Sequence, residues 1–411
     1  MNLFVACLLF ISFVICSNPF FYVHIPPSYI LITLLLVVLA HLSKLKKPAL
    51  RSNVLTLFFL AGPLLLAYLG ASLYSSDALS IPLYLVLSLA AVFILPFFSI
   101  LLFVRLVHIY SSCLVLGALM MVFYQLLGGS SMFAIDATSR FLQFFPISFS
   151  DSQLLTGFYR PSSMFDEPGT FACFLLGVLA IISTNAYRSY YSTPHWFFST
   201  TLLVVGGLAS LSFAFYVCLI LGFSIALVRR FAVNYNSFLK IRSLRLTLIF
   251  SLLFLVMLFC SRPFIDLSSF LDYFLDRLSF FQFNSSSSDS GRYTGLLASL
   301  SFLADRISFF PDSLCLSNEA YCGELNWNPL YYVVRDGMLG SLSTLMFAIL
   351  LSMYYIRSNN VWSLSFMLFF LQRTNWFYSW IALLSAVLIG FILIPRTPSF
   401  TNVVPASQQL V

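Results

Sequence analysis

Apolar runs long enough to cross a bilayer follow one another along almost the whole chain, and the charged residues sit in the gaps between them. A run of roughly 20 apolar residues is the length a helix needs to span the hydrocarbon layer. Such runs fall at 2–17, 27–43, 54–74, 78–103, 107–127, 169–184, 196–211, 212–228, 246–260, 331–355, 361–374 and 376–395. Sixty per cent of the 411 residues are hydrophobic and 9% are charged, which excludes an ordinary soluble domain. The expectation is an all-α, polytopic membrane protein of about 12 transmembrane helices, forming one integral membrane domain over residues 1–411. The first run lacks a basic flank, and Cys16-Ser17-Asn18-Pro19 is a poor cleavage sequence, so it reads as a retained helix.

Charge sidedness orients the spans. One set of loops carries Lys44, Lys46, Lys47, Arg51, Arg105, Arg188, Arg229, Arg230, Lys240, Arg242, Arg245, Arg357 and Arg396, and no acid. The other set holds all 14 acids, no lysine, and seven arginines, among them Arg160, Arg292 and Arg335. The positive-inside rule makes the first set cytoplasmic. Both termini then lie inside, and two large loops, 128–168 and 261–330, lie outside. The net charge of +7 is a topology signal and does not point to nucleic acid. Arginine as the sole outer cation suits planar, bidentate recognition of anions.

The outer loops hold the candidate chemistry. Gly157–Gly169 forms a polar island in a charge-poor chain, and groups of this kind near hydrocarbon usually mark function. Pro168 is placed to open a helix with Glu167 as N-cap. Arg160 then either neutralises Asp166 and Glu167 or holds a phosphate while one of these acids serves as base; two adjacent acids repel, which favours a raised pKa on one. In the second loop, Ser290 can cap a helix running to about Leu303, with Arg292 in its first turn. A cation there opposes the macrodipole unless an anion lies between it and the free N–H groups, or unless it pairs with Asp289. Residues 265–281 carry an apolar helical stripe that fits either the membrane surface or the protein's own outer domain. Cys315 and Cys322 are the only outer-loop cysteines, and their placement outside the membrane favours a disulfide over two free thiols. Asn328 and Pro329 should open the next span, with Arg335 and Asp336 two turns in and Gly337 and Gly340 allowing close helix packing. No metal-ligand cluster or cofactor motif is present in the sequence, so neither is expected.

These elements resemble a family. Arg160-Pro-Ser-Ser-Met-Phe-Asp-Glu167-Pro-Gly, then Ser290-Gly-Arg292-Tyr, then Asn328-Pro-Leu-Tyr-Tyr-Val-Val-Arg335-Asp336-Gly337 resemble, in order and spacing, the motifs of bacterial O-antigen and capsule repeat-unit polymerases, within the O-antigen polymerase and ligase superfamily. The likeness covers roughly residues 150–345. The family's Ser-Arg pair is missing from the turn at Gly206–Ser212. The resemblance implies a GT-C-like fold in the bacterial inner membrane and a metal-independent glycosyltransferase without cofactor. Its substrate would be an undecaprenyl-diphosphate-linked oligosaccharide, and a chain-length regulator protein is a further partner of such enzymes. Arg160, Arg292 and Arg335 would bind the diphosphate, Glu167, Asp166 or Asp289 would act as the catalytic carboxylate, and Asp336 and Gly337 would complete the site. Ligases of the superfamily usually carry a histidine in the second large outer loop; residues 261–330 have none, which favours a polymerase. A flippase for lipid-linked oligosaccharides is the alternative of a different class, and it should show internal repeats and polar residues at mid-span.

Overall fold

The computed structural model describes residues 2–17, 32–38, 60–71, 80–127, 148–155, 158–163, 165, 168–188, 193–210, 212–233, 290–305, 308–312, 330–372 and 379–393. The helices, most of them in the apolar runs, are α1 (Asn2–Ser17), α2 (32–38), α3 (Leu60–Ala71), α4 (Ser80–Ile94), α5 (Phe97–Leu126), α6 (Pro168–Ile182), α7 (Asn185–Arg188), α8 (Thr193–Ala209), α9 (Phe213–Val233), α10 (Ser290–Asp305), α11 (Tyr331–Ser358), α12 (Val361–Gln372) and α13 (Ser379–Leu393). Two of the described helices, Phe97–Gln125 and Tyr331–Ser358, are long and apolar enough to cross a membrane.

The centre of the molecule is α6. Its sequence has no charge and is apolar on every side, the pattern of a helix meant for complete burial. All of its residues except Thr170 are buried, and it packs against α5, α8, α9, α12 and α13. Around it α4 pairs with α13, α1 with α5, and α11 with α12. Aromatic side chains lock the centre: the Phe13 ring lies 5.8 Å from Phe103 and 5.9 Å from Phe174. Many large apolar side chains face outward instead, among them Phe98, Ile109, Leu116, Met120 and Phe123 on α5.

Two expectations need correction. The fold is mostly helical but not all-α, because the segment before α6 contains an antiparallel hairpin of β1 (Ser148–Leu155) and β2 (Phe158–Ser163). Only two residues separate the strands, which is the spacing of a tight hairpin turn. Second, the break placed at 104–106 falls at Leu95-Pro96, where proline lacks the N–H that a continuing helix would use. Arg105 therefore rides on the exposed flank of α5 rather than in a loop. Helix α11 begins at Tyr331, where the tenth apolar run begins, with Leu330 in the cap position and no side-chain cap bond. The expected openers Asn328 and Pro329 lie outside the described residues.

Candidate functional site

Strand β2 delivers Arg160 to the start of α6. The strand packs on both α5 and α6, and its register sets Phe149 opposite Pro161 and Ser148 opposite Ser163. Proline cannot donate to a ladder, and a two-stranded hairpin tolerates it because each strand is an edge. The chain then turns sharply. Ser163 has φ 55°, a left-handed conformation uncommon for a residue with a Cβ. Burial holds it there, together with the hydrogen bond its Oγ donates to the Leu114 carbonyl at 3.3 Å. The Phe165 N–H donates to the Ser162 carbonyl at 3.0 Å and closes the turn.

Phe165 is the plug beneath this turn. It is 1% exposed, and its ring centroid lies 5.8 Å from Phe171 and 5.2 Å from Phe174, both on the first turns of α6. Pro168 is the first residue of α6, as the sequence predicts. Strand, turn and plug thus lead from the half-buried Arg160 into the opening of the central helix. The first N–H groups of a helix have no intrahelical acceptor and carry a partial positive charge. Together with a guanidinium they make an arrangement suited to an anion.

Arg335 has different surroundings. It is 5% exposed, and its Nε and Nη2 donate to Oδ1 and Oδ2 of Asp336 at 2.7 and 2.9 Å. The Tyr68 hydroxyl, from α3, donates to the same Oδ1 at 2.6 Å. The rings of Tyr331 and Tyr332 stand 5.3 and 5.7 Å from the Arg335 Cζ. Neighbours in sequence do not face each other on a regular helix. This pair forms where the helix breaks: Gly337 has φ 69° and ψ 176°, a region essentially reserved for glycine. A Cβ on Gly337 would also lie 2.5 Å from the Phe310 carbonyl carbon. Past the break, the N–H groups of Met338 and Leu339 donate to the carbonyls of Ser308 and Phe309, each at 3.1 Å.

Of the expected site residues, Arg160, Arg335, Asp336 and Gly337 are described in full. Arg292 lies in the first turn of α10, which begins at Ser290 as predicted, but its side chain lies outside the described residues. Asp166, Glu167, Asp289, Cys315 and Cys322 also lie outside them. The expected placing of Arg335 on the diphosphate meets a competing partner, since two of its nitrogens already bind Asp336. Sequence reasoning missed Tyr68 and the 308–310 segment. Tyr68 sits inside an apolar run, and its hydroxyl is the single local sign that a polar partner awaits it. No protein-family model and no curated protein matches the chain.

Proposed function

We propose that the chain is a multi-pass bacterial inner-membrane glycosyltransferase that polymerises undecaprenyl-diphosphate-linked repeat units on the outer face, in the manner of the O-antigen and capsule polymerases it resembles. About 12 spans with a GT-C-like arrangement belong to the same proposal. The observation that carries it is the half-buried Arg160 on β2, a strand that packs on α5 and on the buried central helix α6.

The chemistry asks little more of the chain. The acceptor hydroxyl oxygen attacks the anomeric carbon of the donor, and the bond from that carbon to the diphosphate oxygen breaks. Undecaprenyl diphosphate leaves with the electron pair, and the hydroxyl proton passes to a carboxylate, Glu167 first and Asp166 or Asp289 next. Arg160 and Arg292 stabilise the charge growing on the leaving group through bidentate hydrogen bonds. Arg335 and Asp336 neutralise each other in this reading and act as structure.

Replacing Arg160 by alanine should remove about 3 kcal/mol of transition-state stabilisation, roughly a hundredfold in rate. Cells would then carry single repeat units in place of long glycan chains, with the protein still in the membrane. Arg160→Lys should restore part of the length, because an ammonium cannot fork onto a phosphate. Normal chain lengths from Arg160→Ala at equal abundance would sink the proposal. The flippase reading would place a broken helix at mid-span, whereas the break in α11 at Gly337 lies near one end of the helix. Loss of a flippase would leave no repeat unit on the outer face at all, which separates the two readings.

A further inference from the structure

The break in α11 lies near one end of the helix, and its position has a geometric meaning. From Met338 to Ser358 the helix rises about 31 Å at 1.5 Å per residue, against a hydrocarbon layer of about 30 Å. Over that length Met338, Leu342, Leu345, Ile349, Met353 and Ile356 are exposed, at spacings of three and four that put them on one face. Cations gather at the far end. Arg357 lies in the last turn, while Arg229 of α9 donates to the carbonyls of Tyr355, at 3.0 Å, and Ile356. Such cations mark the water-facing end of a span, so Met338 stands at the opposite edge of the hydrocarbon.

The segment 308–311 is tied to that level. It is not helical, and three of its carbonyls are bonded: those of Ser308 and Phe309 accept from Met338 and Leu339, and that of Phe310 accepts from the Ser308 Oγ at 2.5 Å. Pro311 has no N–H to satisfy. Irregular backbone at membrane depth requires such satisfaction. Phe309 and Phe310 meet edge to face at 5.4 Å and are 55% and 45% exposed. The Phe310 ring abuts α3 at Gly70, where an added Cβ would come within 2.7 Å of it, and the nearby Leu66 and Leu69 are exposed as well. The aromatic pair therefore continues the apolar face of α11 across to α3.

We propose that 308–311 is a strap that dips into the outer leaflet, with Phe309 and Phe310 in contact with lipid acyl chains, and that it anchors the second outer loop at the hydrocarbon edge. The proposal rests on the reading that α11 crosses the bilayer. The full chain would be placed in phosphatidylcholine vesicles whose acyl chains are brominated at a shallow or a deep carbon. Phe309→Trp and Leu345→Trp would each be compared with the parent protein and its five tryptophans. The Phe309→Trp signal should lose most of its intensity to shallow bromine, and the Leu345→Trp signal most to deep bromine. If Leu345→Trp is quenched while Phe309→Trp is not, the strap lies in water or against protein and the proposal is wrong. If neither is quenched, the crossing of α11 fails, and the strap falls with it.

Discussion

Arg160 and Arg335 are both candidate anion-binding arginines, and the fold surrounds them in different ways. Arg335 is enclosed by a carboxylate one residue away, a tyrosine hydroxyl that reaches the same carboxylate from α3, and two tyrosine rings. Arg160 stands half-buried on a short strand that packs on α5 and α6 and ends in a serine with positive φ. The contrast separates two uses of a cation in an apolar protein. A guanidinium that is buried against a neighbouring carboxylate serves the structure, whereas one kept partly exposed remains accessible to an anion from outside.

Asp336→Ala should produce the largest change in stability. It would leave Arg335 buried without its partner, at a cost of about 3–5 kcal/mol, seen as lost folded protein or a lower Tm in detergent. Replacing both residues, Arg335→Met with Asp336→Met, should be milder than Asp336→Ala alone, because a neutral pair has no charge to desolvate. A double variant as unstable as the single one would break the comparison, since the pair would then serve more than each other. Gly337→Ala comes next, at about 1–3 kcal/mol from backbone strain, with the overlap against the Phe310 carbonyl added to it. An unchanged Tm would mean that the helix is not broken there. Tyr68→Phe should cost the least, about 1.5 kcal/mol for one hydrogen bond to a charged acceptor. Its effect should vanish in the Arg335→Met, Asp336→Met background, which a double-mutant cycle reads directly.

The sequence made most of the helices legible, because long apolar runs leave the backbone no other way to satisfy itself in lipid. Pro168 and Ser290 marked the starts of α6 and α10 through ordinary helix-start chemistry. Arg105 misled the placing of a boundary: a charge was read as the end of a span, while it sits on an exposed helix flank. The β1–β2 hairpin escaped notice because its polar strands have irregular register and no clean alternation of apolar residues. The Tyr68–Asp336 bond joins residues 268 positions apart, and no local pattern encodes such a contact. Asp336 directly follows Arg335, while the acid nearest to Arg160 is Asp166, six positions on; that Arg335 is buried and Arg160 half-buried is not written in either segment.

The most direct test of the contrast compares glycan length in cells carrying Arg160→Ala with that in cells carrying Arg335→Met plus Asp336→Met, at matched protein abundance in the membrane. The account predicts single repeat units from the first and long chains from the second. Long chains from Arg160→Ala, or their loss from a folded double variant, would contradict it.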